Sequence, residues 1–400
     1  MRGPVLGVGL AALVGCYSPT APIGLACAPA GSPARCPAGQ ECVVKAGAEV
    51  CLPEGASGDV DASVDAPAVM IDAAIDGALP DGPSNWWNPA WPKRRPLDVT
   101  VGSNGMPAGY TVAITIDHRA LVLTGQSLAS GEDVRIVRDD GTPVDRVLDT
   151  GSAWGGASTK LWFRANTTAV SAGTVLRFWV YYGNLAATAA PASPAAVWLF
   201  ADGFEGSTAA WSFGTGVAVS TARAHGGTRA LATPPTTQAS RGGSVSAVNE
   251  SNVAWDVWCN IDNLTGLDIS VFLRGRAGSV WQTNLQPVGP GTSERWNIAS
   301  TINANYTEVV PPPPTSPMAI ADTWIRVTFY AYESRMAVDI NGVRAVPVSG
   351  FADVGASNLP GDVGVDAWNA LAAVWFDDVT LRRLVLPEPV IAVGAVATGP

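Results

Sequence analysis

The 400-residue chain is 47% hydrophobic with a formal charge of −10, and its length accommodates about two or three domains of ~100–200 residues each. The acidic balance excludes a nucleic-acid binder, which needs a basic face to neutralise phosphates. Two histidines exclude a His-rich metal centre and leave little room for a Ser-His-Asp triad.

Met1-Arg2 is a short positive start, and Gly3 to Gly15 is an apolar run. The run falls short of the ~20 residues a membrane-spanning helix needs, and it fits a secretory signal over residues 1–15. It closes on Leu13-Val14-Gly15-Cys16, which resembles the lipobox of bacterial lipoproteins. The resemblance implies cleavage before Cys16 and lipidation of its thiol. Tyr17, rather than Asp, follows the cysteine, and this implies sorting to the outer membrane or cell surface. Two or three acyl chains anchor a protein where a single chain is marginal. An ordinary signal peptide with a chance cysteine is the alternative.

Within residues 16–53, Cys27, Cys36, Cys42 and Cys51 follow closely. An even number of cysteines in an exported segment reads as disulfides, here two bridges with three connectivities open. A zinc site is the alternative, but close C-x-x-C pairs are lacking. Cys259 stands apart in a strand-like run and reads as a small buried hydrophobe. Residues 54–84 hold seven carboxylates and no base, so the stretch reads as an extended, disordered acidic linker. Its Asp spacing is not that of a calcium loop.

The rest divides at the Ala/Pro/Ser-rich stretch 185–196, into one module at 85–186, a second at 197–386 and a tail at 387–400. Both modules read as all-β, because helical periodicity is nearly absent and alternating β-branched and aromatic runs recur between turn residues. The fold expected is a small β-sandwich followed by a larger jelly-roll sandwich.

The first module opens Asn85-Trp86-Trp87 and continues through Trp91 and Arg94-Arg95. It ends on Tyr181-Tyr182-Gly183-Asn184. This start and end resemble a bacterial family of exported modules of unknown function. The resemblance implies a β-sandwich on secreted surface proteins, often beside a lectin-like jelly roll, and transfers no catalytic residue. Trp86, Trp87 and Trp91 read as a lid on the core rather than a sugar platform, since Trp is usually largely buried.

The second module opens Phe200-Ala201-Asp202-Gly203-Phe204-Glu205 and closes Val374-Trp375-Phe376-Asp377-Asp378. These ends resemble the concanavalin A-like, laminin-G-like and carbohydrate-binding jelly rolls, in which first and last strands often lie side by side. Asp202, Glu205, Asp377 and Asp378 then form a candidate structural calcium site, since clustered carboxylates repel unless a cation joins them. No other cofactor is expected. Strand alternation supplies a candidate ligand face of Asp256, Trp258, Arg274, Arg276, Trp324, Arg326 and Tyr330, with a cover of loops or of the first module as the alternative.

Catalysis has little to work with. The module's glutamates form no paired-carboxylate strand for glycoside hydrolysis. Asp117 and His118 sit at a strand end, and His225 lies in a turn of the other module. The sequence therefore reads as a non-enzymatic cell-surface lipoprotein, anchored in the membrane by its lipid. It is expected to bind polysaccharide or a cell-surface protein through the jelly roll. A structural or adhesive protein and a carbohydrate-active hydrolase are the alternatives.

Overall fold

The computed structural model describes Cys27, Cys36 and residues 40–45, 48–53 and 86–400, apart from 238, 247, 263–267, 288–293, 315–318, 369 and 400. The signal segment, Cys16 and the acidic linker lie outside the described residues. The chain forms two compact units, Met1–Ala78 and Leu79–Pro400.

In the first unit, Gln40–Lys45 and Ala48–Pro53 pair as an antiparallel hairpin that sets Cys42 opposite Cys51. Cys27 and Cys42 form a disulfide, and Cys36 is also disulfide-bonded.

The second unit is all-β, two sandwiches built from antiparallel sheets with two short helices. In the smaller sandwich Lys93–Thr100, Val175–Tyr182 and Arg135–Arg138 lie side by side in one sheet, and Thr111–Ile116, Thr159–Arg164 and Arg146–Leu148 form the other. Leu97, Val99, Val112, Ile114, Leu161, Phe163, Phe178 and Val180 fill the space between them. Their period of two along each strand is the alternation that a half-buried strand requires.

The opening and closing motifs of this module are one packing cluster. Arg94 lies opposite Tyr181 in adjacent strands. Its guanidinium sits 4.4 Å from the Trp86 ring and 3.8 Å from the Trp179 ring, a cation–π arrangement that tolerates burial of the charge. The Tyr181 hydroxyl accepts from the Trp87 backbone at 3.0 Å and from Arg94 at 3.1 Å. Trp86, Trp87 and Trp91 are packed together at this end of the module. Gly183 follows with φ +98, where a Cβ would meet Pro92 at 3.1 Å.

The segment expected as a tail is part of this sandwich. Val390–Val393 and Ala397–Thr398 both pair with Lys93–Thr100. Leu384 and Val385 enter the same core. A short apolar run ending in Thr-Gly-Pro carries no local mark of the edge it completes.

The larger sandwich, Phe200 to Arg383, is a jelly roll of a nine-stranded and an eight-stranded sheet. Val253–Ile261, Val374–Arg383 and Ile325–Tyr332 lie at the centre of the first, and Asp362–Trp368, Asp268–Arg276 and Ser279–Pro287 at the centre of the second. Trp255, Val257, Val271, Leu273, Val327, Phe329, Val365 and Phe376 meet between them. Cys259 is a free, buried thiol of this core whose pKa burial pushes up to about 12. Phe200–Asp202 pairs with Val374–Arg383, so the first and last strands of the module are neighbours.

Candidate functional site

The residues expected to form one ligand face separate. Asp256, Trp258, Arg326 and Tyr330 do share the outer face of the nine-stranded sheet, where the register sets Trp258 opposite Arg326 and Asp256 opposite Thr328. The first module covers this face. Arg326 donates to Asp149 of that module at 2.8 Å and to Asp256 at 3.0 Å. Burial alone weakens the Arg326 charge, but Asp256 and Asp149 outweigh it and raise its pKa. Trp258 Nε1 donates to Thr150 at 2.9 Å, and Tyr330 packs on the core of the first module. The face is an interface between sandwiches rather than an open groove. Trp324 lies edge-on to His225 beside it, 5.6 Å between ring centres.

Arg274 and Arg276 belong to the opposite sheet. A register shift after Leu273 and a left-handed Arg274 backbone, φ +52, break the alternation that would have displayed both. Arg274 turns inward and donates to the carbonyls of Ser251, Glu333 and Ser357. Burial lowers its pKa to about 10. Arg276 remains exposed and donates to the Pro360 carbonyl at 2.7 Å.

The expected calcium set is not gathered into a cage. Asp202 accepts from the Phe204 backbone at 2.7 Å and from Trp211 Nε1 at 2.8 Å. Glu205 accepts from Thr228 and Arg229, and those backbone hydrogen bonds hold its pKa down. Asp377 accepts from the backbones of His225, Gly226 and Asp378, and Asp378 lies 2.6 Å from His225 Nδ1. Among the described residues, only Cys27, Cys36 and Cys42 bring three potential ligand atoms within 4.8 Å of one another. Protein donors take up the four carboxylates instead.

Neither histidine heads a nucleophilic chain. Asp117 caps the short helix His118–Leu123. Buried His118 accepts from the Gly155 N–H at Nδ1, 2.8 Å, so its ring proton sits on Nε2 and points to Ser127 at 3.0 Å. Ser127 in turn donates to Asp133 at 2.8 Å. The hydrogen bonds run from histidine through serine to aspartate, which commits the serine proton to the Asp133 carboxylate and makes His118 a donor to the serine rather than its base. Burial lowers the His118 pKa, which favours the same neutral ring. His225 lies flat on Trp258 at 3.8 Å.

The open concavity lies on the outer face of the eight-stranded sheet, a groove of about 1370 Å³. Ile269, Val271, Leu273, Val363, Val365 and Ala367 point into the core, so alternation turns Asp268, Ser270, Phe272, Asp362, Gly364, Asp366 and Trp368 outward. The register builds rows across the sheet. One runs Ser212, Ser244, Gly364, Phe272, Gln282. The next runs Gly242, Asp366, Ser270, Asn284. Small residues make the floor, and the floor cannot be raised: a Cβ on Gly242 would lie 2.0 Å from the Val365 carbonyl, and one on Gly364 2.5 Å from the Phe272 ring.

Aromatic rings stand at both sides of that floor. Trp368 is 44% exposed and Tyr306 42%, and Phe272 lies between them. Tyr306 sits four strands from Trp368 in sheet order. Asp366 accepts from Ser240, and burial at the floor raises its carboxyl pKa. The reading from sequence missed Trp368, Phe272, Tyr306, Gln282 and Asp366. The signal was the run Asp362-Val-Gly-Val-Asp-Ala-Trp368, in which apolar and polar or aromatic residues alternate.

No family model and no curated protein matches the chain. Among solved structures, it is similar to the carbohydrate-binding module CBM66 from Bacillus subtilis, with 12% identity, a TM-score of 0.32 and coverage of 43% of this chain and 95% of that one. It is also similar to the exoplasmic/lumenal domain of VIP36 in a Ca²⁺/Man2-bound form, with 12% identity, a TM-score of 0.31 and coverage of 46% and 87%. The C-terminal family 22 carbohydrate-binding module of Clostridium thermocellum Xyn10B aligns at 16% identity with a TM-score of 0.25, covering 46% and 92%.

Proposed function

We propose that the protein is a glycan-binding surface lipoprotein and that its ligand lies in the groove of the eight-stranded sheet. The observation that carries this reading is the exposed Trp368 ring standing beside a floor of Gly242, Ser244, Ser270 and Gly364. A sugar ring has an apolar C–H face and a rim of hydroxyls. An exposed indole takes the first, and serine, glutamine and aspartate oxygens and nitrogens take the second. A Trp left 44% exposed on a sheet face costs hydrophobic burial in the free protein, and a stacked ligand recovers it.

Binding without chemistry is part of the proposal, supported by the Ser127 hydroxyl donating to buried Asp133 rather than to His118. Surface anchoring rests on the lipobox-like run that ends at Cys16. Replacing Trp368 with Ala is expected to reduce retention on polysaccharide columns at least tenfold while leaving the melting temperature within about 1 °C, because the side chain packs little core. Unchanged retention by Trp368→Ala refutes the site.

A further inference from the structure

The aromatic wall on the far side of the groove from Trp368 is held from beneath. Tyr306 lines the groove and belongs to the last two strands of the eight-stranded sheet, Ile298–Ile302 and Asn305–Val310. Their register sets Tyr306 opposite Thr301 and Glu308 opposite Ala299. The Tyr306 hydroxyl nonetheless accepts from Asn297 Nδ2 at 2.9 Å, so the ring lies back along the outer face, past the level of Ala299. Ala299 shares that face with Thr301 by alternation and is fully buried. The ring therefore rests one side on the sheet and turns the other to the groove.

Asn297 is itself fully buried and continues the floor row that runs Gly242, Asp366, Ser270, Asn284. Its N–H donates to the Asn284 carbonyl at 3.0 Å, and the Asn284 N–H donates to Asn297 Oδ1 at 3.2 Å. A backbone N–H can only donate, so it fixes which end of the Asn297 amide is oxygen. Both Nδ2 hydrogens are then committed, one to Tyr306 and one to Glu308 Oε2 at 2.8 Å. Ser270, a lining residue of the floor, donates to Asn284 Oδ1 at 2.9 Å. Floor and ring thus belong to one hydrogen-bonded network.

We propose that Asn297 is a positioning residue of the groove: through the Tyr306 hydroxyl it holds that ring as a second stacking platform, and the groove takes a linear glycan segment running across the strands between Trp368 and Tyr306. This rests on the glycan-binding reading of the same groove. It adds to that reading a residue that touches no ligand and acts through one that does. A ring fixed before binding gives up less rotamer freedom when a sugar stacks on it. Phenylalanine at position 306 keeps the apolar ring face and loses the tether, so the two contributions separate.

The test titrates the full chain with cellohexaose, xylohexaose and mannohexaose and follows whichever binds through a set of variants. Tyr306→Ala is expected to weaken binding at least tenfold and Tyr306→Phe at least threefold. Asn297→Ala is expected to cost at least threefold in the wild-type background and less than twofold in the Tyr306→Phe background, where the tether is already gone. A merely structural role for Asn297 predicts the same loss in both backgrounds, and that result overturns the positioning role. Tyr306 is exposed, so Tyr306→Phe decides the matter even where Asn297→Ala lowers the folded population: wild-type affinity in Tyr306→Phe overturns the tether. A hexasaccharide weakened by Trp368→Ala and unaffected by Tyr306→Ala overturns the span between the rings. Unchanged binding by Trp368→Ala, or binding of none of the three hexasaccharides by the wild-type chain, overturns the glycan-binding reading and the positioning role with it.

Discussion

At the scale of single residues, the molecule repeatedly uses a buried charge with a committed partner. Arg326 joins Asp149 and Asp256 across the two sandwiches. Arg382 holds Glu388 at 2.8 Å, and the Tyr110 hydroxyl donates to the same carboxylate at 3.1 Å. Such pairs fix geometry more than they add net stability, since desolvation offsets much of the attraction. Asp377 differs. Burial, and then the neighbouring Asp378, push its carboxyl up to about 6, against the N–H groups that bind it. A raised carboxyl pKa means that the folded state holds a proton that the unfolded chain has already lost. Its contribution to stability is therefore full below pH ~4 and is lost as pH rises from ~4 to ~6. Melting curves across that window are expected to show this loss, and Asp377→Asn is expected to flatten that part of the profile. A profile unchanged by the substitution excludes Asp377 as its source.

At the scale of elements, period-two patterning made most strands legible. Val253–Ile261 alternates Val, Trp, Val and Cys inward, and Ile325–Tyr332 does the same with Ile, Val, Phe and Ala. Neighbours in sequence fix that alternation, so one strand suffices to read it. Which outer face stays open depends on what packs against it, and no single strand encodes this. The nine-stranded sheet offered Trp258, Arg326 and Tyr330, and those groups serve an interface. The groove floor gave a weaker signal because glycine and serine mark close approach and curvature as often as a site. The C-terminal strand was invisible for a similar reason. Val390–Val393 is short, and its partner Lys93–Thr100 lies at the other end of the sequence. Ending the chain at residue 387 removes that edge strand and the Glu388 that neutralises Arg382. This truncation is expected to lower the midpoint of chemical denaturation and to expose the first module to protease while the groove still binds. A truncated chain as stable as the full one removes the strand from the list of necessary parts.

At the scale of the whole molecule, the sandwiches form one body rather than beads on a string. Asp149, Thr150, Gly109 and Tyr110 of the first module meet Arg326, Trp258, Arg383 and the segment after it from the second. The first module thereby occupies the sheet face that would compete with the groove for ligand. A protein built this way presents one open sheet face and buries the other. Anchoring belongs to this scale too. Replacing Cys16 with Ser is expected to move the protein from the membrane fraction to the soluble exported fraction, read by fractionation of the producing cells. A variant that stays with the membrane refutes the lipid anchor.

The returning strand also sets an order on biosynthesis. Arg95 Nε donates to the Gly394 carbonyl across a sequence separation of 299 residues. A ribosome delivers the first module long before it delivers that carbonyl. Until residues 384–398 emerge, the sheet of the first module has an unpaired edge and its core lacks Leu384 and Val385, a state open to wrong partners. Closure waits for residues 390–398, so the first sandwich to be begun is the last to be finished.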